Sequence, residues 1–577
     1  MLKNFSLIFG LIALHLFYGN FYVASAYYNQ VVAPSDQNKD DLVIADYTKA
    51  IELDPKNVKA YYDRGLAYSG QLKYDLAIAD YNKAIELDPK NVLAYYNRGL
   101  AYSGQLKYGL AIADYNKAIE IDPKNVLAYN NRGLAYAKQG KYDLAIADYN
   151  KAIELDPKNV FAYNNRGFDY SSQLKYDLAI ADFTKVIEID PKYVFVYNNR
   201  GLAYFKQAKY DLAIADYNKA IEIDPKNVFA YNDRGFAYSI QKEYDLAIAD
   251  FTIVIELDSK NAFAYFNRGL TYAKQNKYDD DLDLAIVDFT KVIELDPKYI
   301  FAYFNRGLTY AKQNKYDDDL DLAITDFTKV IELDPKYVFV YNSRGLAYAK
   351  QAKYDLAIAD YNKAIELDPK YVFSYNSRGL AYDKQAKYDL AIADYNKAIE
   401  LDPKNVKDYN NRGLAYAKQA KYDLAIADYN KAIELDPKYV IAYNNRGFAY
   451  SSQLKYDLAI VDFTKVIEID PKYVFAYYNR GNAYAKQNKY DDDLVLAIAD
   501  YTKAIELNPK FAFAFYKRGN AYDEQKKYDL AIADFTKAIE LNPKHADAYN
   551  NRGLAYKAIG KTTEADADFE TAEALKK

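Results

Sequence analysis

The sequence predicts an all-α fold, an α-solenoid of tandem helix–turn–helix units, on three observations. Prolines 55, 89, 123, 157, 191 and 225 stand 34 residues apart; after Ser259 the series resumes at 297 and runs to 543 in steps of 34 or 38. Every arginine, from Arg64 to Arg552, is followed by glycine at one slot of this period. Each half of a period carries its large side chains at helical spacing. Such a period marks stacked units that each bury a face against the next. Fifteen tandem units are expected over residues 58–577, so the chain of 577 residues is an array and not a set of ordinary domains.

Residues 1–26 read as a signal peptide. Lys3 precedes an almost wholly apolar run from Phe5 to Tyr18, and Ala24-Ser25-Ala26 fits the small-residue rule for cleavage. The same run has two other readings, a buried first helix and an uncleaved anchor with the N-terminus inside. Residues 27–57 read as a degenerate N-terminal repeat. Ala26-Tyr27-Tyr28-Asn29 is in register with Ala60-Tyr61-Tyr62-Asp63, Pro34 breaks the first helix, and Asp41 to Pro55 forms a capping second helix.

Residues 126–159, VLAYNNRGLAYAKQGKYDLAIADYNKAIELDPKN, serve as the reference unit. Tyr129, Arg132, Gly133 and Tyr136 form one stripe of its first helix. Ala145, Tyr149, Ala152 and Ile153 form the buried face of its second, with Asp143, Ala147, Asn150, Lys151 and Glu154 toward water. Asp156-Pro157 ends the second helix, and Asn125 or Asn159 caps the next first helix. A glycine inside a helix costs about 0.5–1 kcal/mol relative to alanine, so its recurrence points to close packing by a partner tyrosine. Arg132 lies nine residues before the turn at Lys141 and Asp148 seven after it, which predicts an ion pair across the antiparallel hairpin.

Three units carry inserts of the YDDDL type, near 279–282, 317–320 and 491–494. Four residues turn a helix by about 400°, so the insert is expected to lengthen the second helix by one turn with its buried face kept. Its acids suit a helix N-terminus; a calcium site at Asp279, Asp280, Asp281 and Asp283 is the alternative, without EF-hand spacing. In the last unit Asp566 and Glu573 replace the isoleucines that would face a following repeat, so Lys577 is expected to be a true terminus with a polar end face.

Composition closes most catalytic routes. The chain has no Cys, no Trp, one Met and two His, His15 and His545. Thiolate chemistry, Cys-ligated metal and His-based triads are excluded, and neither cofactor nor metal is expected. Carboxylates recur in every unit, whereas a reaction centre needs a unique constellation, so the chain reads as no enzyme. Net charge is -5 from 76 Lys+Arg and 81 Asp+Glu, without the basic stripe that nucleic acid calls for.

These residues resemble the tetratricopeptide repeat family. Tyr129 takes the usual Trp slot, and Gly133, Tyr136, Ala145, Tyr149, Ala152 and Pro157 fit the other marks. Arg132 departs from the pattern, where the family commonly has an aliphatic residue. The resemblance implies a right-handed superhelix whose first helices line the concave surface. On that surface three rows follow. Phe161, Phe195, Phe229, Phe263, Phe301, Phe339, Phe373, Phe475 and Phe513 share the Leu127 slot. Asn97, Asn131, Asn165, Asn199, Asn267, Asn305, Asn411, Asn445, Asn479 and Asn551 share the next. Lys206, Lys274, Lys312, Lys350, Lys384, Lys418 and Lys486 share the Lys138 slot.

An amide offers donor and acceptor at once and matches a peptide backbone. The row is similar to the asparagine ladder of the O-linked N-acetylglucosamine transferase repeats. The alternative is that the phenylalanines, and part of the asparagines, pack between neighbouring first helices. The carboxylate clamp of some family members is not supported; Asn482, Asn520 and Lys517 are local exceptions. The expected function is an exported, periplasmic or secreted scaffold that binds proteins or extended peptides, multivalently, on its concave surface. A structural or self-associating element of a cell envelope is the second reading, membrane contact is expected only if the leader stays uncleaved, and Lys, Tyr, Asn and Ile richness hints at a bacterium.

Overall fold

A computed structural model describes residues 37–277, 280–313, 318–487 and 492–576. The segment read as a signal peptide, the start of the degenerate repeat, and Asp279, Asp317 and Asp491 of the inserts lie outside these residues. The described residues contain 31 α-helices and no strand. They divide into two compact units, one up to Gln313 and one from Asn314 onward. Each unit is a stack of helical hairpins.

In the reference hairpin the first helix is Val126–Lys138 and the second Tyr142–Leu155. Asn125 Oδ1 accepts from Ala128 N at 2.9 Å and so caps the first helix. Where tyrosine stands at that slot, as at Tyr193 and Tyr371, there is no side-chain cap. Asp156 ends the second helix, and its Oδ1 accepts from Lys158 N at 3.1 Å to close the turn into the next hairpin. The turn inside the hairpin needs a left-handed residue: Gly140 has φ +73°, and Leu106 and Ala208 hold the same place with φ +60° and +58°.

Tyr149 is wholly buried in the hairpin and lies against Gly133, where an added Cβ would stand 2.7 Å from Tyr149 Cε1. That contact accounts for the recurring glycine. Ala145, Asp148, Tyr149 and Ala152 are the buried side of the second helix. On the first helix the buried residues are Ala128, Asn130, Asn131, Gly133 and Ala135, and not the single stripe expected from Tyr129 and Tyr136. The physical reason is that a first helix is covered on two sides. It packs on its own second helix and on Tyr108–Ile121, the second helix of the preceding hairpin.

Within each unit, successive first helices also touch one another, as Val126–Lys138 touches Val160–Ser172. This places the first helices on the inner side of the stack. The inserts do not add a helical turn. The second helix Asp281–Leu295 has 15 residues against 14 in the reference hairpin, and the first helix Ala262–Gln275 has 14 against 13. Asp281 is buried at that helix's start, where Oδ2 accepts from Lys277 N at 2.7 Å, so the acid is spent on the connection. Asp566 and Glu573, on the last described helix, are exposed.

Candidate binding face

The hairpins are joined by three recurring side-chain ties. Arg132 Nε and Nη2 donate to Asp148 Oδ2 and Oδ1 at 2.8 and 2.6 Å, and Nη1 donates to Asn116 Oδ1 of the preceding second helix at 2.6 Å. Arg200 does the same with Asp216 and, through Nη1, Thr184. The guanidinium of Arg132 also stands 5.4 Å from the centre of the Tyr129 ring. The bond to Asp148 holds the Arg132 guanidinium above its usual range. Burial pushes the equivalent Asp182 carboxyl up, and Arg166 opposes it. These arginines are structural ties with their charge already engaged.

The asparagine row supplies the second tie. Asn97 and Asn131 donate to Tyr62 and Tyr96 Oη at 3.0 and 2.7 Å. Asn165, Asn199, Asn445 and Asn479 donate to Asn130, Asn164, Asn410 and Asn444 at 3.0–3.2 Å, in each case thirty-five residues back. Asn551 donates to Tyr516 Oη and Asn520 Oδ1. Asn305 turns instead to the Phe301 carbonyl, because Phe266 stands where an acceptor would be. Asn267 is 2% exposed and both its amide atoms lack a partner. Asn411 is half-buried. Within each unit the row stands on successive first helices, and most of its donors are spent between hairpins.

The third tie was missed at the sequence level. The glutamine that closes the first helix donates to the aspartate that opens the preceding second helix, as Gln105 to Asp75 and Gln207 to Asp177, both at 2.8 Å. A fixed thirty-residue separation of Gln and Asp was the available signal. A row of half-exposed leucines, Leu144, Leu178 and Leu212 among them, also went unremarked on the second helices.

The apolar row is the accessible part of the inner face. Leu127 is 54% exposed, Phe161 40%, and Phe475 56%; Phe195, Phe229 and Phe513 are exposed as well. Phe263, Phe301, Phe339 and Phe373 are half-buried. Phe339 meets Tyr371 edge-on at 5.3 Å, so part of the row packs on the neighbouring hairpin and part faces solvent. Lys206, Lys350, Lys384 and Lys486 are exposed at the ends of first helices. Lys312 caps the Ala273 carbonyl at 2.9 Å, and Lys418 pairs with Asp383 at 2.6 Å. Lys274 is half-buried. Of the clamp-like exceptions, Asn482 accepts from Tyr501 Oη and Lys517 lies over the Tyr516 ring. Among the described residues no cluster of His, Asp or Glu is placed to hold a metal ion, and no helix is long and apolar enough to cross a membrane.

Fold and face define a helical-hairpin repeat protein. The chain belongs to the tetratricopeptide repeat family. One tetratricopeptide repeat model matches 126–159, 160–193, 194–227, 338–371, 372–405, 406–439, 440–473, 474–511 and 512–545, more than half of the chain. Further repeat models match 36–71, 73–105 and 107–140, then 216–249, 289–321 and 535–567, and 264–299. Among solved structures, "YrrB: a TPR protein with an unusual peptide-binding site" is 28% identical over 32% of this chain and 95% of that one, with a TM-score of 0.28. MamA is 32% identical over 28% and 94%, with a TM-score of 0.27. A repeat protein from Cytophaga hutchinsonii is 22% identical over 42% and 97%, with a TM-score of 0.37. No curated protein matches. Scaffolds of this family typically bind proteins or peptides and are generally non-catalytic.

Proposed function

We propose that this chain is an exported scaffold that takes up an extended polypeptide along the inner face of its first helices. One observation carries the reading: an apolar row remains exposed at five successive 34-residue steps of the first unit, Leu93, Leu127, Phe161, Phe195 and Phe229. A row of exposed large apolar side chains on a packed array is the usual signature of an interaction surface. Exposed lysines beside it, such as Lys206, add hydrogen-bond donors for carbonyls or carboxylates. The repetition supports multivalency, in which several weak contacts add through effective concentration.

Export rests on residues 1–26 and the cleavage-like Ala24-Ser25-Ala26. The asparagine row supports the reading less than its regularity suggested, because most of its N–H groups already face the preceding hairpin. A photo-crosslinking side chain at position 161 or 195, introduced in cells, is expected to capture a discrete partner that a label on the outer helices, at position 151, does not. Equal capture from both faces, or from neither, would remove the inner-face reading. Light scattering of the processed chain separates the second reading, since an oligomer that grows with concentration points to self-association.

A further inference from the structure

The rungs of the asparagine row obey one register, residue i donating to residue i−35. In that register residue 233 faces Asn198, and Asn267 faces Asn232. Residue 233 is aspartate, and a carboxylate has no N–H to donate. The consequences run both ways along the row. Asn198 Oδ1 has no partner. Asn232 Oδ1 and both amide atoms of Asn267 likewise have no partner. Asn198 and Asn267 are more than nine-tenths buried.

The charged and titratable surroundings come from four helices. Lys206, on Val194–Lys206, acts on Asp233 without an ion-pair contact. Tyr217, on Tyr210–Ile223, is wholly buried, feels the Asp233 charge, and its Oη has no partner. On the hairpin's own second helix, Asp250 is taken by Arg234. The following first helix brings Asn267, which is neutral, and Lys274 further along. The inner-face acid Asp383 has a lysine in contact, and Asp408 takes an amide from Asn376. Asp233 differs from both in standing among unpartnered carbonyl oxygens.

We propose that the broken rung at Asp233 is a subsite for a cationic side chain, lysine or arginine, carried by the extended partner of the inner face. The subsite rests on the inner-face reading above. Its acceptor is the half-buried Asp233 carboxylate, beside the unpartnered amide oxygens of Asn198 and Asn232; an ammonium or guanidinium brings only donors and a positive charge, and charge-assisted bonds are the stronger ones. Asparagine at 233 would close the rung and take the subsite away. Burial also pushes the Asp233 carboxyl up to about 7, so that without a cation its protonated form can itself donate to Asn198. Protonation and cation binding therefore compete for the same rung.

The test uses the full chain with ¹⁵N-labelled asparagine side chains, titrated with N-acetyl-arginine amide and with its neutral isostere N-acetyl-citrulline amide. At pH 8 the arginine probe is expected to shift the Asn198 and Asn232 amide signals, and the citrulline probe to leave them in place. Asp233→Asn should weaken the arginine response about tenfold or more, with a melting temperature no lower than that of the parent chain, since the closed rung adds a bond. Should that variant fold poorly, Asp233→Ser provides the same test, since serine holds this slot at Ser343 and Ser377. Lowering the pH to 5 should weaken the response in the parent chain. Equal shifts from both probes, no shift, or a response that survives both substitutions would overturn the subsite. Partner capture at position 161 alongside a silent arginine titration overturns the subsite alone; an arginine response without capture overturns the inner-face reading alone.

Discussion

Arg132 and Asp148 meet through two parallel bonds of 2.8 and 2.6 Å, and the third guanidinium nitrogen reaches Asn116 of the hairpin before. One side chain thus ties three helices. A planar fork of donors can satisfy a carboxylate and an amide oxygen together, which an aliphatic residue at that slot cannot do. The pair is buried on the aspartate side, 8% exposed there against 18% for the arginine.

Removing Arg132 leaves the carboxylate of Asp148 buried and unpaired. Arg132→Ala is expected to cost about 3–5 kcal/mol, and Arg132→Lys to recover little of it, because an ammonium cannot make the two-bonded contact. Urea unfolding followed by hydrogen exchange in the hairpin of Arg132 and in the preceding one, which holds Asn116, measures both. Unchanged melting with lost partner capture would show that the arginine serves a ligand instead.

Gly133→Ala sets two effects against each other. Helix propensity favours alanine by about 0.5–1 kcal/mol, whereas its Cβ would stand 2.7 Å from Tyr149 Cε1. Overpacking of that kind costs about 1–3 kcal/mol, so a net loss of stability is expected. Tyr149→Phe should not relieve it, since the contact is with a ring carbon and Phe183 crowds Gly167 equally, at 2.8 Å. A higher melting temperature for Gly133→Ala would show that the glycine answers to something other than the tyrosine.

Gly109 occupies the slot of the aspartate that receives the glutamine tie, and Gln139 is the glutamine that faces it. An added Cβ at Gly109 meets nothing within 4 Å. Gly109→Asp is expected to stabilise by about 0.5–1.5 kcal/mol, from the removed glycine and from a new bond in the first turn of a helix. A double variant with Gln139→Ala should lose the part due to the bond.

Asp169 stands where Ala135 and Ala203 stand in neighbouring hairpins, and its Oδ2 is buried without a partner. Burial pushes its carboxyl up to about 7, and the Lys138 charge opposes the shift. A folded value above the ordinary 3.8 means that its contribution is fully present below about pH 4 and is lost as the pH rises through 7. Asp169→Ala should therefore flatten that dependence and stabilise the chain at pH 8 by about 2–4 kcal/mol. Thermal melts of both chains at pH 5 and 8 decide it; parallel curves would refute the assignment.

Phe161→Ser with Phe195→Ser removes two steps of the exposed row. Stability is expected to fall by about 1 kcal/mol per site, since each ring keeps more than half of its surface covered and Phe195 meets Tyr193. Capture of the partner in cells should fall markedly. Retained capture would place the binding face elsewhere.

The repeat was open to reading from the chain alone because it rests on local chemistry. Asn125 must cap, Asp156-Pro157 must stop, and Gly133 must admit a tyrosine, each within a few residues of its partner. The Arg132–Asp148 pair was legible for a related reason: an antiparallel hairpin converts sequence distance from the turn into height along the helix. The insert was misjudged because a turn of helix and a longer connection use the same four residues, and only the packing of Ala285 and Phe289 chooses between them.

What the chain determined by itself is therefore the hairpin: two helices, their caps, the turn and the glycine contact, all set by neighbours near in sequence. What only the tertiary structure decided is the use of the first-helix face. Asn131 and Asp233 occupy one slot of the pattern and Phe161 another on the same helix, yet the first is half spent on Tyr96, Asp233 breaks a rung, and Phe161 stays exposed. The outcomes at 131 and 233 depend on the residue thirty-five positions earlier in the preceding hairpin, and no rule of local conformation reaches that far.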